Sequence, residues 1–314
     1  MKKLISFIAM ALAFGCLGGS ITSANAVEIG MGWAGKSGMA KRVTKGFEKG
    51  IKELAPDIKI EYQKELASIE ALGEVVKRWK KEKNGMVILR SNGAKWLAKN
   101  SPSIPTFIGA CNNPSQLGVV KNLQKPEGQI TGVTYFLQVD TQFEIFQAIL
   151  PEMKSVLLLL GKGNPSAAVD QSGTKETCRK LGIKYNEAFC SSAEEAIKAV
   201  NKYKGKVTAV IIGNQAVIME KADQIVAAAG KTPVVSYSNK AVKLGALGGF
   251  VADDVKLGYM LAKSLVDVLV KGQAIKDVPV KVDPDPKFFL NAITARKIGV
   301  DVPFEILETA TVIE

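Results

Sequence analysis

Twice along this chain, short apolar runs alternate with amphipathic helices, and this constrains the fold more than any other feature. "VEIGM" reads as a strand, followed by a helix whose apolar residues Met39, Val43, Phe47, Ile51 and Leu54 recur at helical spacing. "IKIEYQ" is a strand of alternating character, and Ile69, Leu72, Val75, Val76 and Trp79 mark the face of the next helix. "MVILR", "PTFIGA" and "GQITGVTYF" complete the first set. The pattern restarts after a seam near Tyr135 to Asp140. Asp140 is expected to cap a helix carrying Phe143, Phe146 and Leu150. The strands "SVLLLL", "IKYNEAF", "VTAVII" and "PVVSY" follow, with helices between them. Ser191 and Glu194 have the spacing of a capping box. Strands alternating with helices over this length predict α/β architecture with parallel sheets, in two Rossmann-like lobes of about 110 residues each. The segment "GALGGFVADDVKLGYMLAKSLVDVLVKG" adds a strand and a long helix that neither lobe obviously owns. The chain is therefore expected to cross between lobes more than once.

The amino terminus reads as a secretory signal peptide. Lys2 and Lys3 precede an apolar run from Leu4 to Leu17, and Ala24-Asn25-Ala26 is a small-x-small cleavage site. Cleavage after Ala26 removes two lysines and no acid, so the net charge falls from +12 to +10. The remaining lysines are scattered over helix faces, as in "KRVTKGFEKGIKE". This is the pattern of a solvated surface with a mild attraction to anionic membranes, not of a nucleic-acid partner. The mature chain keeps Cys111, Cys178 and Cys190, an odd number. Cys178 and Cys190 are expected at distant ends of a helix and a strand, beyond disulfide reach. With 47% hydrophobic residues the chain has ample core without staples. It contains no histidine, which removes Ser-His-Asp and Cys-His catalysis and most zinc chemistry. No metal or cofactor is expected.

"GMGWAGKS", Gly30 to Ser37, fits the P-loop pattern G-x-x-x-x-G-K-[ST]. A working P-loop also needs a second strand ending in Asp to hold Mg²⁺. The apolar strands here end "VILRS", "TFIGAC", "LLLLGK", "VIIGN" and "VVSYS", none in Asp. Nucleotide hydrolysis is therefore not expected, and Ser37 is read as a helix cap.

In open parallel sheets ligands bind beyond the carboxyl ends of the strands, so the segments after each strand are the site candidates. They are Gly32 to Ser37, Arg90 to Gly93, Cys111 to Asn113, Gly161 to Asn164, Gly213 to Gln215 and Tyr237 to Asn239. Within them, Ser37, Ser91, Asn92, Asn112, Asn113, Asn164, Asn214 and Gln215 offer hydrogen bonds, though Asn and Gln in such loops also cap turns. Cys111 and Tyr237 fall at strand ends in the same cleft. Trp33 is expected to form the aromatic wall, or else to pack as a core or hinge residue. Arg90 is suited to holding a carboxylate in a bidentate pair, or alternatively to an interlobe ion pair with Asp253 or Asp254. Asp253 stays among the ligand-binding candidates.

"IPTFIGACNNPSQLGVVKNLQKPEGQITGVTYF" resembles the middle of the ABC transporter substrate-binding proteins related to the tryptophan/tyrosine-binding family. The likeness rests on the Asn113-Pro114 turn and on Pro126 to Val133, Pro-Glu-Gly-Gln-Ile-Thr-Gly-Val, which resembles the family's Pro-Gly-Gly-Asn-[IV]-Thr-Gly-Val. "KLGALGGFVADDVKLGYMLAKSLVDVLVKGQ" and "DVPVKVDPDPKFFLNAITARKIGVDVP" resemble the family's later segments. The resemblance implies a type I periplasmic binding fold: two lobes, three crossovers and one ligand in the cleft between them. The expected division is 1–26 as signal peptide, 27–136 plus 251–278 as the N-terminal lobe, and 137–250 plus 279–314 as the C-terminal lobe. The chain departs from the family in the cleft itself. "GWAGKSG" lacks the usual His-Pro-like turn, "RSNGAKW" replaces a Thr-rich stretch, and Cys111 and Asn113 replace smaller or acidic residues.

The expected function is that of a periplasmic, monomeric binding protein, not an enzyme. It would capture a small organic ligand, an amino acid or related carboxylate or aromatic compound. Its partner would be a membrane ABC permease with a cytoplasmic ATPase. An exported sensor for a membrane receptor and an exported enzyme using Lys or Asp are the alternatives.

Overall fold

The structure is a computed structural model and describes residues 26–314. The expected signal peptide, 1–26, lies outside the described residues except for Ala26. No described helix is long and apolar enough to cross a membrane.

The first sheet is built from β1 (Glu28–Ala34), β2 (Lys59–Leu66), β3 (Gly85–Leu89), β4 (Thr106–Gly109) and β5 (Ile130–Gly132), in the order β2-β1-β3-β4-β5. All its pairings are parallel. Between the strands run α1 (Gly38–Leu54), α2 (Ile69–Glu82) and α3 (Ser91–Lys99). The period-two alternation of β1 decides what covers each face. Ile29, Met31 and Trp33 face one core with Val43 and Phe47 of α1. Gly30 and Gly32 face the other, where a Cβ on Gly30 would overlap the Trp79 ring and one on Gly32 would lie 3.0 Å from it. The glycines of the P-loop-like stretch therefore admit a tryptophan from α2 onto the sheet.

The chain then enters the second lobe. The next elements are α4 (Val139–Ile149), β6 (Ser155–Gly161), α5 (Pro165–Lys180), β7 (Lys184–Cys190), α6 (Ala193–Tyr203) and β8 (Ala209–Ile212). They are followed by α7 (Ala216–Met219), α8 (Ala222–Ala229), β9 (Val234–Ser236), α9 (Asn239–Lys243) and β10 (Gly248–Val251). After α10 (Asp254–Leu269) come β11 (Lys287–Asn291), α11 (Ala292–Ile298), α12 (Phe304–Thr309) and β12 (Thr311–Ile313). The second sheet runs β12-β11-β10-β9-β8-β6-β7, parallel except where β11 returns antiparallel to β10.

The ambiguous late segment is shared between the lobes. β10 belongs to the second sheet, while α10 packs on α1 through Leu257, Leu261 and Leu265. The two helices cross closely at Gly46 and Gly258, where any Cβ would overlap a backbone carbonyl of the partner helix. The expected crossings at 251 and 279 move accordingly. Val251 still pairs with Lys287 in the second sheet. Val280 and Lys281 still donate backbone N–H groups to Leu123 and Gly132 on the first side, at 2.7 and 2.9 Å.

Two caps also differ from expectation. Asp140 lies in the first turn of α4 rather than at its cap, and its carboxylate accepts from Thr177 and Lys180. The cap of α6 is Ser192, one residue later than expected, with Glu195 accepting from the Ser191 N–H. The run Ser191-Ser192-Ala193-Glu194-Glu195 offers both registers, and the structure adopts the second.

Candidate functional site

The carboxyl ends of both sheets open onto one cleft of about 760 Å³. From the first lobe it is lined by Lys36, Ser37 and Gly38 after β1, Arg90 to Asn92 after β3, and Ala110 after β4. From the second lobe come Lys162 to Ser166 after β6, Asn214, Ala216, Val217, Met219 and Glu220 after β8, and Ser238 and Lys240 after β9. Tyr135, on the first crossing between lobes, lines it as well. A recess of only about 40 Å³ adjoins the cleft, walled by Asn112, Tyr135, Asp170, Asn214, Tyr237 and Phe250 among others.

Helix starts build these walls. Ser37 caps α1 by accepting from the Ala40 N–H at 3.1 Å, and Asn164 caps α5 by accepting from Ser166 at 3.0 Å. α3 starts at Arg90 with no side-chain cap. Three helices of nine or more residues therefore point their N–H ends at the cleft, a setting that favours anions. Arg90 adopts φ +76° and donates from Nη1 to the Ala34 carbonyl. Burial lowers its pKa below the usual guanidinium range. Neither Asp253 nor Asp254 is its partner. Asp254 is held by Arg42, at 2.8 Å from Nε and 2.7 Å from Nη2. Asp253 caps α10 by accepting from Val255 and Lys256 and lies at a separate surface hollow.

A polar network joins the lobes at the recess. Asn112, after β4, donates from Nδ2 to Asp170 Oδ1 at 2.8 Å. Gln215, after β8, donates from Nε2 to Asp170 Oδ2 at 2.6 Å. Each amide is fixed by its own oxygen, Asn112 accepting from the Asn113 N–H and Gln215 from the Gly161 N–H, both near 3 Å. Ser91 accepts from the Asn112 N–H. The Tyr237 hydroxyl pairs with Thr174 at 2.7 Å. Asp170 is buried among neutral groups, which pushes its pKa up to about 6. The donated bonds from Asn112, Gln215 and the Asn214 backbone oppose that rise.

The sequence-predicted residues thus separate into three groups. Ser37, Arg90, Ser91, Asn92, Asn164 and Asn214 line the cleft. Asn112 and Tyr237 line the recess, and Gln215 is fully buried behind it. Trp33, Cys111, Asn113 and Asp253 line neither. Trp33 is 0% exposed in the core under α1 and α10, so it is not the aromatic wall. Cys111 is 0% exposed, its thiol donating to the Asn112 carbonyl, and burial pushes its pKa up to about 12. It is not an accessible cleft thiol. Asn113 caps the following turn by accepting from Ser115 and Gln116. Among the described residues all three cysteines are free and buried.

Asp170 and Tyr135 were not anticipated. Asp170 sits in the second turn of α5, where an acid ordinarily faces solvent. Its one local sign is that it falls on the side of α5 that includes buried Ala167, Thr174 and Cys178.

The model of the family described as ABC transporter substrate binding protein matches residues 36–313. The chain belongs to that family. The family consists of solute-binding proteins, not enzymes. A curated relative, the tyrosine-binding protein of Clostridioides difficile (strain R20291), is 23% identical over 267 residues, 82% of this chain and 77% of the relative. Among solved structures, an ABC domain in complex with L-Trp from Streptococcus pneumonia is 24% identical with a TM-score of 0.81, covering 91% of this chain and 99% of that one. A conserved domain protein from Vibrio cholerae is 20% identical, also at 0.81, covering 92% and 100%. The shared fold is the type I periplasmic binding architecture.

Proposed function

We propose that this chain is the exported solute-binding component of an ABC importer. It captures a small carboxylate-bearing solute, an amino acid or related organic acid, and passes it to a membrane permease driven by a cytoplasmic ATPase. The observation that carries the reading is the cleft: strand ends and helix N-termini of both sheets converge on one cavity between lobes joined by three crossings. Family membership, the tyrosine- and L-Trp-binding relatives and the leader-like residues 1–26 support it.

In this reading the N–H groups at the starts of α1, α3 and α5 and the guanidinium of Arg90 receive the carboxylate. The lobes close by bending at the crossings. Asn112 and Asp170, which approach from opposite lobes, form their bond on closure and lose it on opening. Small-angle scattering and calorimetry test this. Solute carried through purification is identified by mass spectrometry, removed and added back. The expected result is saturable binding with a smaller radius of gyration. Binding with no contraction, or no carboxylate-bearing solute bound, would count against it.

A further inference from the structure

The charges lining the cleft narrow the solute further. Lys36 and Arg90 enter from the first lobe, and Lys162 and Lys240 from the second, the first three on segments that follow strand ends and Lys240 in the first turn of α9. Among the described residues no carboxylate lies within ion-pair distance of any of the four. Arg42, the remaining cation in the lining, is neutralised by Asp254. The acids that face this set are few. Glu220 lines the second-lobe wall, and Asp170 sits in the recess. Glu65 acts on Lys36 and Arg90 from beyond contact while Lys41 holds it at 3.0 Å. The helix starts add partial positive charge at the same surface.

Aromatic surface, by contrast, is scarce. Tyr135 is the one aromatic residue lining the larger cavity. Trp33 and Trp79 are both consumed by the core of the first lobe. The aromatic recess beside Asp170, at about 40 Å³, has room for a few water molecules, not for a phenol or an indole. A monocarboxylate would satisfy one lobe's cations and leave the other's without a counter-charge as the lobes close. Like charges brought together in a narrowing cleft oppose closure unless the solute carries charge for both walls.

We propose that the cleft is selective for a small solute with two anionic groups, an acidic amino acid, dicarboxylate or phosphorylated organic acid, with one anionic group held by each lobe. This rests on the cleft being the solute site.

The test is calorimetry on the solute-stripped protein with L-glutamate, succinate, O-phosphoserine, L-tyrosine and L-tryptophan, at low and high salt. At least one of the three probes with two anionic groups is expected to bind tenfold or more tighter than either aromatic amino acid, with affinity falling as salt rises. Lys162→Gln and Lys240→Gln, both at exposed positions, are each expected to weaken that probe about tenfold, equivalent to ~1.4 kcal/mol. Arg90→Gln should do so at least as strongly.

Tighter binding of L-tyrosine or L-tryptophan than of every probe with two anionic groups would overturn the assignment. So would affinity for the tightest of those probes unchanged in the Lys162→Gln/Lys240→Gln double variant. In either case contraction on binding an aromatic amino acid would leave the solute-binding reading standing. Binding of no probe, with a neutral solute recovered by mass spectrometry, would overturn both.

Discussion

The two lobes share a strand–helix plan but bury different things at the ends of their sheets. In the first lobe the space around β1 is filled by tryptophan. Trp33 lies on one face and Trp79 on the other, above Gly30 and Gly32. In the second lobe the equivalent strand, β6, is aliphatic on both faces, and the buried polar groups Asp170, Thr174, Gln215 and Tyr237 gather beyond its end. Tryptophan therefore packs both faces of β1, while beyond β6 lies a polar network that meets the first lobe through Asn112. A large side chain beside a strand end is thus a poor guide to a binding wall, and a buried carboxylate is a better one.

The sharpest way to break this contrast is Trp33→Ala. The ring is fully buried and its indole N–H has no hydrogen-bond partner, so packing alone holds it. Truncation should cost about 3–5 kcal/mol, read as a lowered urea midpoint at unchanged m. Solute affinity of the folded fraction should remain within about twofold, since a change near 0.4 kcal/mol is all that a distant packing defect is expected to transmit. A large loss of affinity with stability intact would return Trp33 to the cleft.

The second lobe is probed by pH. Burial raises the Asp170 pKa from 3.8 to about 6, so the folded state holds this proton more tightly than the unfolded chain does. Its contribution to stability is full below about pH 4 and is lost as pH rises through about 6. Two units correspond to about 3 kcal/mol. Wild-type thermal stability should carry this downward slope between pH 4 and 6, and Asp170→Asn should lack it. The Asn variant also turns an NH₂ towards one of the two donors, Asn112 or Gln215, so its stability at low pH should be lower than wild type. An identical slope in both proteins would show that Asp170 titrates as an ordinary carboxylate.

Gly30→Ala tests the first lobe from its other face. The added methyl group overlaps the Trp79 ring, and α2 must shift to admit it. The expected cost is about 1–3 kcal/mol, measured by denaturant unfolding. Gly30→Ala in a Trp79→Leu background should recover part of that loss, because the smaller side chain removes the clash.

These particulars mark where the sequence was legible. Helical and strand periods are local, so the element order and the seam after Tyr135 could be read directly. The rule that sites lie beyond strand ends then picked out Arg90, Asn92, Asn164 and Asn214. Trp33 was misplaced although its parity with Ile29 and Met31 put it on the core face of β1. The glycines between them were read as a loop feature. What makes Gly30 necessary is Trp79, forty-nine positions later, a pairing that no local pattern records. Asp170 was missed for the converse reason: an acid on an amphipathic helix is ordinarily solvated, and only the docking of Asn112 and Gln215 encloses it. The cations Lys162 and Lys240 lay in or beside the chosen loops, yet became a set only when the lobes brought them to one cavity.

The smallest expected effect concerns the two cleft-facing caps, which have matching places in the lobes. Ser37 begins α1 after β1, and Asn164 begins α5 after β6. In a P-loop enzyme the Ser37 hydroxyl would hold Mg²⁺. Here it accepts from the Ala40 N–H at 3.1 Å, the bond expected of a helix cap. Asn164 serves α5 in the same way, from a loop with no P-loop resemblance. Ser37→Ala and Asn164→Ala should therefore behave alike, each losing about 1 kcal/mol of stability by thermal or denaturant unfolding. Neither protein, nor Lys36→Ala, should differ from wild type in an ATP-turnover assay, where the expected rate is background, since no strand of either sheet ends in an Asp placed to hold the metal. Asparagine at position 37 separates the two roles most directly. Ser37→Asn keeps a good cap and should retain wild-type stability. A hydroxyl needed for a metal would not survive the exchange. Measurable turnover lost in Ser37→Asn and Lys36→Ala, but kept in Asn164→Ala, would make the first lobe a nucleotide site and break the equivalence of the two caps.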